Sequence, residues 1–134
     1  MPHLSIDHSP ELSDESDMQA LCQKLRDALV QTGVFPLSGT RVRTHPAEAC
    51  AIADGHRNNR YCAMTLSVGA GRSRETLQTA GADIFSVAQA HFEQQRSTPH
   101  FALSLEIRVA DEDLSWKDNS LHLGPVIPDG LETA

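Results

Sequence analysis

A proline and a small set of arginines are the residues of this 134-residue chain best equipped for chemistry. The proline is Pro2, directly behind the initiator methionine in MPHLSIDHS. Removal of Met1 would leave its secondary amine as the N-terminus. An α-amino group titrates near pH ~8, and burial or nearby cations lower that value by disfavouring the protonated form. Such a nitrogen can act as a general base at neutral pH. The plainer use of Pro2 is to begin a strand, where its missing N–H is no loss to the ladder.

Arg41 and Arg43 alternate with Val42 and Thr44 in TRVRTH, and His45 continues the row. Guanidinium forks match carboxylate geometry, so the row could hold an acidic ligand. A solvated strand face would look the same in sequence. Arg72 lies in GAGRS, between an apolar run and a helical one. A helix start offers backbone N–H groups to an anion, yet GAGRSRE lacks the third glycine of a dinucleotide fingerprint and the Gly-Lys-Ser/Thr of a P-loop. From spacing alone, Gly69 and Gly71 form a tight turn and Arg72 is solvated.

The seven histidines (His3, His8, His45, His56, His91, His100 and His122) form no HxxxH or HExxH pair, so no metal site is expected. His3 adjoins the proline, but its role stays open. His91 reads as a packed boundary residue on a helix. Cys22, Cys50 and Cys62 are read as buried structural thiols on apolar faces, and no G-x-S-x-G elbow occurs.

Eighteen acidic residues against 11 Lys and Arg give a net charge of −7. That balance excludes the broad cationic surface that nucleic acid requires. An anionic small molecule could bind only where basic residues are concentrated. No apolar run approaches the ~20 residues of a membrane span. The acidic N-terminus is no signal peptide, and an odd cysteine count without CxxC fits a reducing, cytoplasmic setting.

Two copies of one pattern must position these residues. His3–His8 alternates with period two and predicts a strand. The stretch SDESD supplies an N-cap and negative charge for a helix whose apolar face is Met18, Leu21, Cys22, Leu25, Ala28 and Leu29. Gly33 suits its C-terminal cap, and TRVRTH is the second strand. PAEACAIADGHRNN reads as connection with room for one helical turn. RYCAMTLSV then predicts a strand, followed by a helix bearing Leu77, Ala80, Ile84, Val87, Ala88, His91 and Phe92, and FALSLEIRV a final strand. The pseudo-repeats span about 2–45 and 60–110 of one domain over 1–134, and about 123–134 reads as a flexible tail. Single-faced strands and helices predict an α+β fold: a four-stranded sheet with both helices on one face.

MPH, TGVFPLSGTRVR, ADGH, MTLSVGAGRSRE, SLEI and the closing N-x-x-H from Asn119 to His122 occur in an order that resembles the 5-carboxymethyl-2-hydroxymuconate isomerases. These are tautomerase-superfamily enzymes with an amino-terminal proline, and the resemblance runs from Pro2 to about His122. It implies a duplicated β-α-β subunit in a homotrimer, and Pro2 as catalytic base once Met1 is removed. Arg41 and Arg72 match the family's active-site arginines, and Arg43 is a candidate third substrate contact. The implied substrate is a small anionic unsaturated hydroxy-carboxylate from homoprotocatechuate breakdown, ketonised without metal or organic cofactor. Pro46 stands where the family carries an aromatic residue, and the ending LGPVIPDGLETA is longer than usual, so substrate preference could differ. The alternatives are a divergent superfamily enzyme (a phenylpyruvate-type tautomerase, hydratase or decarboxylase) or a non-enzymatic trimeric binding module.

Overall fold

The computed structural model of the protein describes residues 1–121. His122 and the expected tail lie outside the described residues. The elements run β1 (His3–His8), α1 (Leu12–Glu15), α2 (Met18–Gln31), β2 (Arg41–Pro46), β3 (Arg60–Val68), α3 (Arg74–His91), α4 (Glu93–Arg96) and β4 (Phe101–Val109). The strand order is β2-β1-β3-β4. β1 pairs parallel with β2 and β3 parallel with β4, while β1 and β3 meet antiparallel. A parallel pair needs a crossover, and α2 and α3 supply one each. The duplicated β-α-β pattern is therefore the topology.

One face of the sheet carries Leu4 and Ile6 from β1 and Cys62, Met64, Leu66 and Val68 from β3. Against it pack Leu21, Leu25 and Leu29 of α2, Ile84 and Ala88 of α3, and Phe92 just after it. Each fully buried Leu or Ile contributes about 1.5–3 kcal/mol relative to exposure, so the sequence alternation and helical stripe become one core. Register puts His3, Arg41 and Ser67 in one row of the other face, then Ser5, Arg43 and Thr65, then Asp7, His45 and Ala63. There the Tyr61 hydroxyl donates to Asp7 at 2.7 Å, and this bond, behind burial, helps push the phenol up to about 12.

The α2 N-cap is Asp17, whose carboxylate accepts from the Ala20 N–H at 2.9 Å, and Gly33 at φ +72° follows its C-terminus. Three features differ from expectation. Part of the stretch read as a cap forms the short α1, because Leu12 buries completely and draws its turn onto the core. The connection from 47 to 59 forms turns and no helix, with Ala53 and Gly55 both at positive φ. Cys50 is exposed in that connection rather than on an apolar face, while Cys62 is buried, with its thiol pushed up to about 12 mainly by that burial.

Candidate active site

The segment 34–40, VFPLSGT, is the platform of the site. Pro36 is extended and leads into a 3-10 turn over Leu37–Gly39, which leaves the carbonyls of Val34 and Ser38 available to side chains. Arg72 takes the first: its Nε and Nη2 donate to Val34 O at 3.3 and 3.2 Å. Its Nη1 donates to Gly69 O at 3.2 Å, and its guanidinium carbon lies 4.8 Å from the centre of the buried Phe35 ring. Arg41 takes the second, donating from Nη1 to Ser38 O at 2.7 Å. The Arg72 side chain is therefore half-buried and fixed, not solvated as spacing alone suggested. Gly71 at φ +108° makes the turn that aims it, and the hydroxyl of Ser73 caps α3 by accepting from Thr76 N–H at 3.1 Å.

Pro2 is buried ahead of β1, and its carbonyl accepts from the Arg41 N–H at 3.0 Å. The chain's amine, on Met1, is held below its ordinary value of 8.0, first by burial and then by the charges of Lys117, Arg72 and Arg41. Arg41 and Arg72, 31 positions apart in sequence, thus act on one point. Arg43 goes elsewhere: exposed on the sheet's open face, it donates to His3 Nδ1 at 3.3 Å. Burial, followed by the charges of Arg43 and Arg41, lowers the pKa of His3 and so favours the neutral ring, which can accept that bond.

Lys117 is the residue that sequence reasoning missed. It follows β4 in DLSWKDNS, one of only two lysines, with no periodicity to mark it. Two residues on, Asn119 Nδ2 donates to Ser38 O at 3.0 Å, the carbonyl that also holds Arg41. Among the described residues, Arg41, Arg72 and Lys117 make no ion pair with a carboxylate. In a chain of net charge −7, these three cations, with no carboxylate partner among the described residues, act together on one half-buried amine and concentrate positive charge there.

The family model for 5-carboxymethyl-2-hydroxymuconate isomerase matches residues 2–123. The chain belongs to this family. The 5-carboxymethyl-2-hydroxymuconate Delta-isomerase of Escherichia coli is 37% identical over 122 residues, 91% of this chain and 97% of that protein. A solved 5-carboxymethyl-2-hydroxymuconate delta-isomerase superposes with a TM-score of 0.82 at 32% identity, covering 89% of each chain. The isomerase from Deinococcus radiodurans R1 gives 0.82 at 31% identity, with 88% of this chain and 89% of that one covered. At 20% identity, a fused 4-OT solved as a symmetric trimer shares the tautomerase fold alone, with a TM-score of 0.55 over 80% of this chain and 85% of that one. As a member of the 5-carboxymethyl-2-hydroxymuconate isomerase family the protein is an isomerase. The family match begins at Pro2 and takes in both arginines, Lys117 and Asn119. Residues 124–134 extend beyond it.

Proposed function

We propose that the protein ketonises 5-carboxymethyl-2-hydroxymuconate, or a close unsaturated hydroxy-tricarboxylate, with the nitrogen of Pro2 as the base after Met1 is removed. The observation that carries this is the amine held below its usual value by cations that have no acidic partner among the described residues. Removal of Met1 moves the terminal nitrogen one residue inward, to a buried residue among the same charges. There the same burial and the same charges disfavour the protonated form of the amine.

The reaction balances with one group. The Pro2 nitrogen takes the proton of the 2-hydroxyl, the dienol electrons shift along the chain, and the protonated amine returns a proton to carbon. Arg41 and Arg72 hold carboxylates and stabilise the negative charge that develops on the 2-oxygen. Their backbone anchors fix both guanidinium planes before substrate arrives. Arg43, pointing outward beside His3, attracts the anion toward an otherwise acidic molecule. No metal or organic cofactor enters this scheme.

The working form is a homotrimer, and the cytoplasm is its setting. The exposed Leu114, Trp116 and Leu121 support assembly, and three cysteines without a disulfide support a reducing compartment. The test is ultraviolet decay of 5-carboxymethyl-2-hydroxymuconate with protein whose Met1 removal is confirmed by intact mass. Ketonisation far above the buffer rate is expected. No acceleration by correctly processed trimer would refute the substrate assignment.

A further inference from the structure

Arg41 and Arg72 rest on two separate stretches of backbone, and a single strap after β4 reaches both. At one end of it, Lys117 Nζ lies 4.0 Å from where a Cβ on Gly69 would stand, beside the residue whose carbonyl holds Arg72. At the other end, Asn119 donates to Ser38 O, which also holds Arg41. The Asn119 side chain turns the strap as well, since its Oδ1 accepts from Leu121 N–H at 3.0 Å. Lys117 is thus carried across the site between the two arginine platforms.

Among the described residues Lys117 has no carboxylate partner, and its surroundings in sequence make that informative. Asp111, Glu112, Asp113 and Asp118 all lie within six positions, yet none of them pairs with Lys117. The carboxylate of Asp111 instead accepts from the Asp113 N–H at 3.0 Å, in the turn that opens the strap. A lysine that pairs with none of the acids next to it, and whose charge acts on the terminal amine, is placed for an anion supplied from outside. Of all the charges acting on that amine, Lys117 acts most strongly.

We propose that Lys117 is the third carboxylate-binding cation of the site and makes it selective for tricarboxylates over dicarboxylates. This deepens the isomerase reading and rests on it: Arg41 and Arg72 serve two carboxylates, and the third needs a cation at the same point, whereas Arg43 bonds His3 on the open sheet face and is not among the charges acting on the amine. A lysine suits the outermost carboxylate, because its ammonium is a compact charge on a flexible stem and needs no fixed fork geometry.

The experiment uses the mature trimer and two non-reacting probes, tricarballylate with three carboxylates and glutarate with two, titrated by calorimetry. Lys117→Gln is expected to weaken tricarballylate roughly tenfold, the loss of one charge-assisted contact, and glutarate by less than about twofold. Lys117→Arg should restore most of the difference, and thermal melts of both variants should match wild type. On the reactive substrate the loss should appear in KM more than in kcat. Equal weakening of both probes, no weakening of either, or a selective loss from Arg43→Gln with none from Lys117→Gln would overturn the assignment. If wild type selects tricarballylate through Lys117 but fails to ketonise the dienol, only the isomerase substrate is refuted.

Discussion

Replacing Arg72 with alanine removes four contacts at once. Two hydrogen bonds go to Val34 O at 3.2 and 3.3 Å, one to Gly69 O at 3.2 Å, and the guanidinium lies 4.8 Å from the centre of the Phe35 ring. Short charged hydrogen bonds are worth about 1.5–3 kcal/mol each. These sit at or beyond the long end of the usual N–H···O range, and at a half-buried site water can replace the donors. The cation–π contact adds roughly 0.5–1 kcal/mol. We therefore expect a stability loss of about 1–2 kcal/mol, a fall in Tm of several degrees. Catalysis should lose more. A group that holds a carboxylate and faces developing oxyanion charge is worth about 10²–10³ in rate, or roughly 2.7–4 kcal/mol. The assay is kcat/KM for ketonisation by Arg72→Ala and Arg72→Lys at a temperature where both variants are folded, with melts run in parallel. Arg72→Lys should recover part of the activity through its charge, but not the fork that meets Val34 O twice. A kcat/KM for Arg72→Ala within threefold of wild type would show that the residue serves the platform and not the reaction. So would a loss that follows the folded fraction.

The pH profile follows from the lowered amine. kcat/KM should fall as pH drops through the lowered pKa of the amine, and Arg41→Gln should move that limb to higher pH by removing a neighbouring positive charge. His91, bonded to Ser16 at 2.9 Å and to Lys24 at 3.2 Å, has its pKa lowered below 6.5 by burial first and then by Lys24. The unfolded chain then binds more protons than the folded one, so stability is full above the unfolded value of 6.5 and declines as pH falls through the folded pKa. Urea melts at pH 7.5 and 5.5 should show this, with a smaller difference for His91→Gln. Iodoacetamide followed by intact mass should label the exposed Cys50 first and Cys62 only on unfolding, because burial holds the Cys62 thiol at about 12. Rapid labelling of Cys62 in native protein would contradict its placement in the core. Leu25→Ala, at a fully buried position of α2, should lower stability by about 2–5 kcal/mol, measured by urea denaturation.

The sheet was legible because both of its faces left a mark on the sequence. Leu4 and Ile6 alternate with polar residues, as do Cys62, Met64 and Leu66, because one side meets helices and the other does not. The helical stripes of α2 and α3 are the matching half of the same core. The short α1 was not legible: one buried leucine in an acidic stretch has no period. Within the site, Pro2, Arg41 and Arg72 could be named by type, and by resemblance to a family. What holds Arg72 could not be read, since its main acceptor, Val34 O, is 38 positions away and is a backbone atom with no residue signature. Lys117 was hidden for a related reason. It is a lone lysine in a polar segment, and it gains meaning only when Asn119 ties that segment to Ser38.

The role of Pro2 is tested most directly by comparing the mature protein with one that keeps Met1, each confirmed by intact mass. Retained methionine turns the proline nitrogen into an amide with no basicity and leaves the fold and the arginines in place. Loss of about 10²–10⁴ in kcat/KM with Met1 retained is the expected result, the usual contribution of a positioned general base. Equal rates from the two forms would contradict a proline base and move the proton transfer to another group.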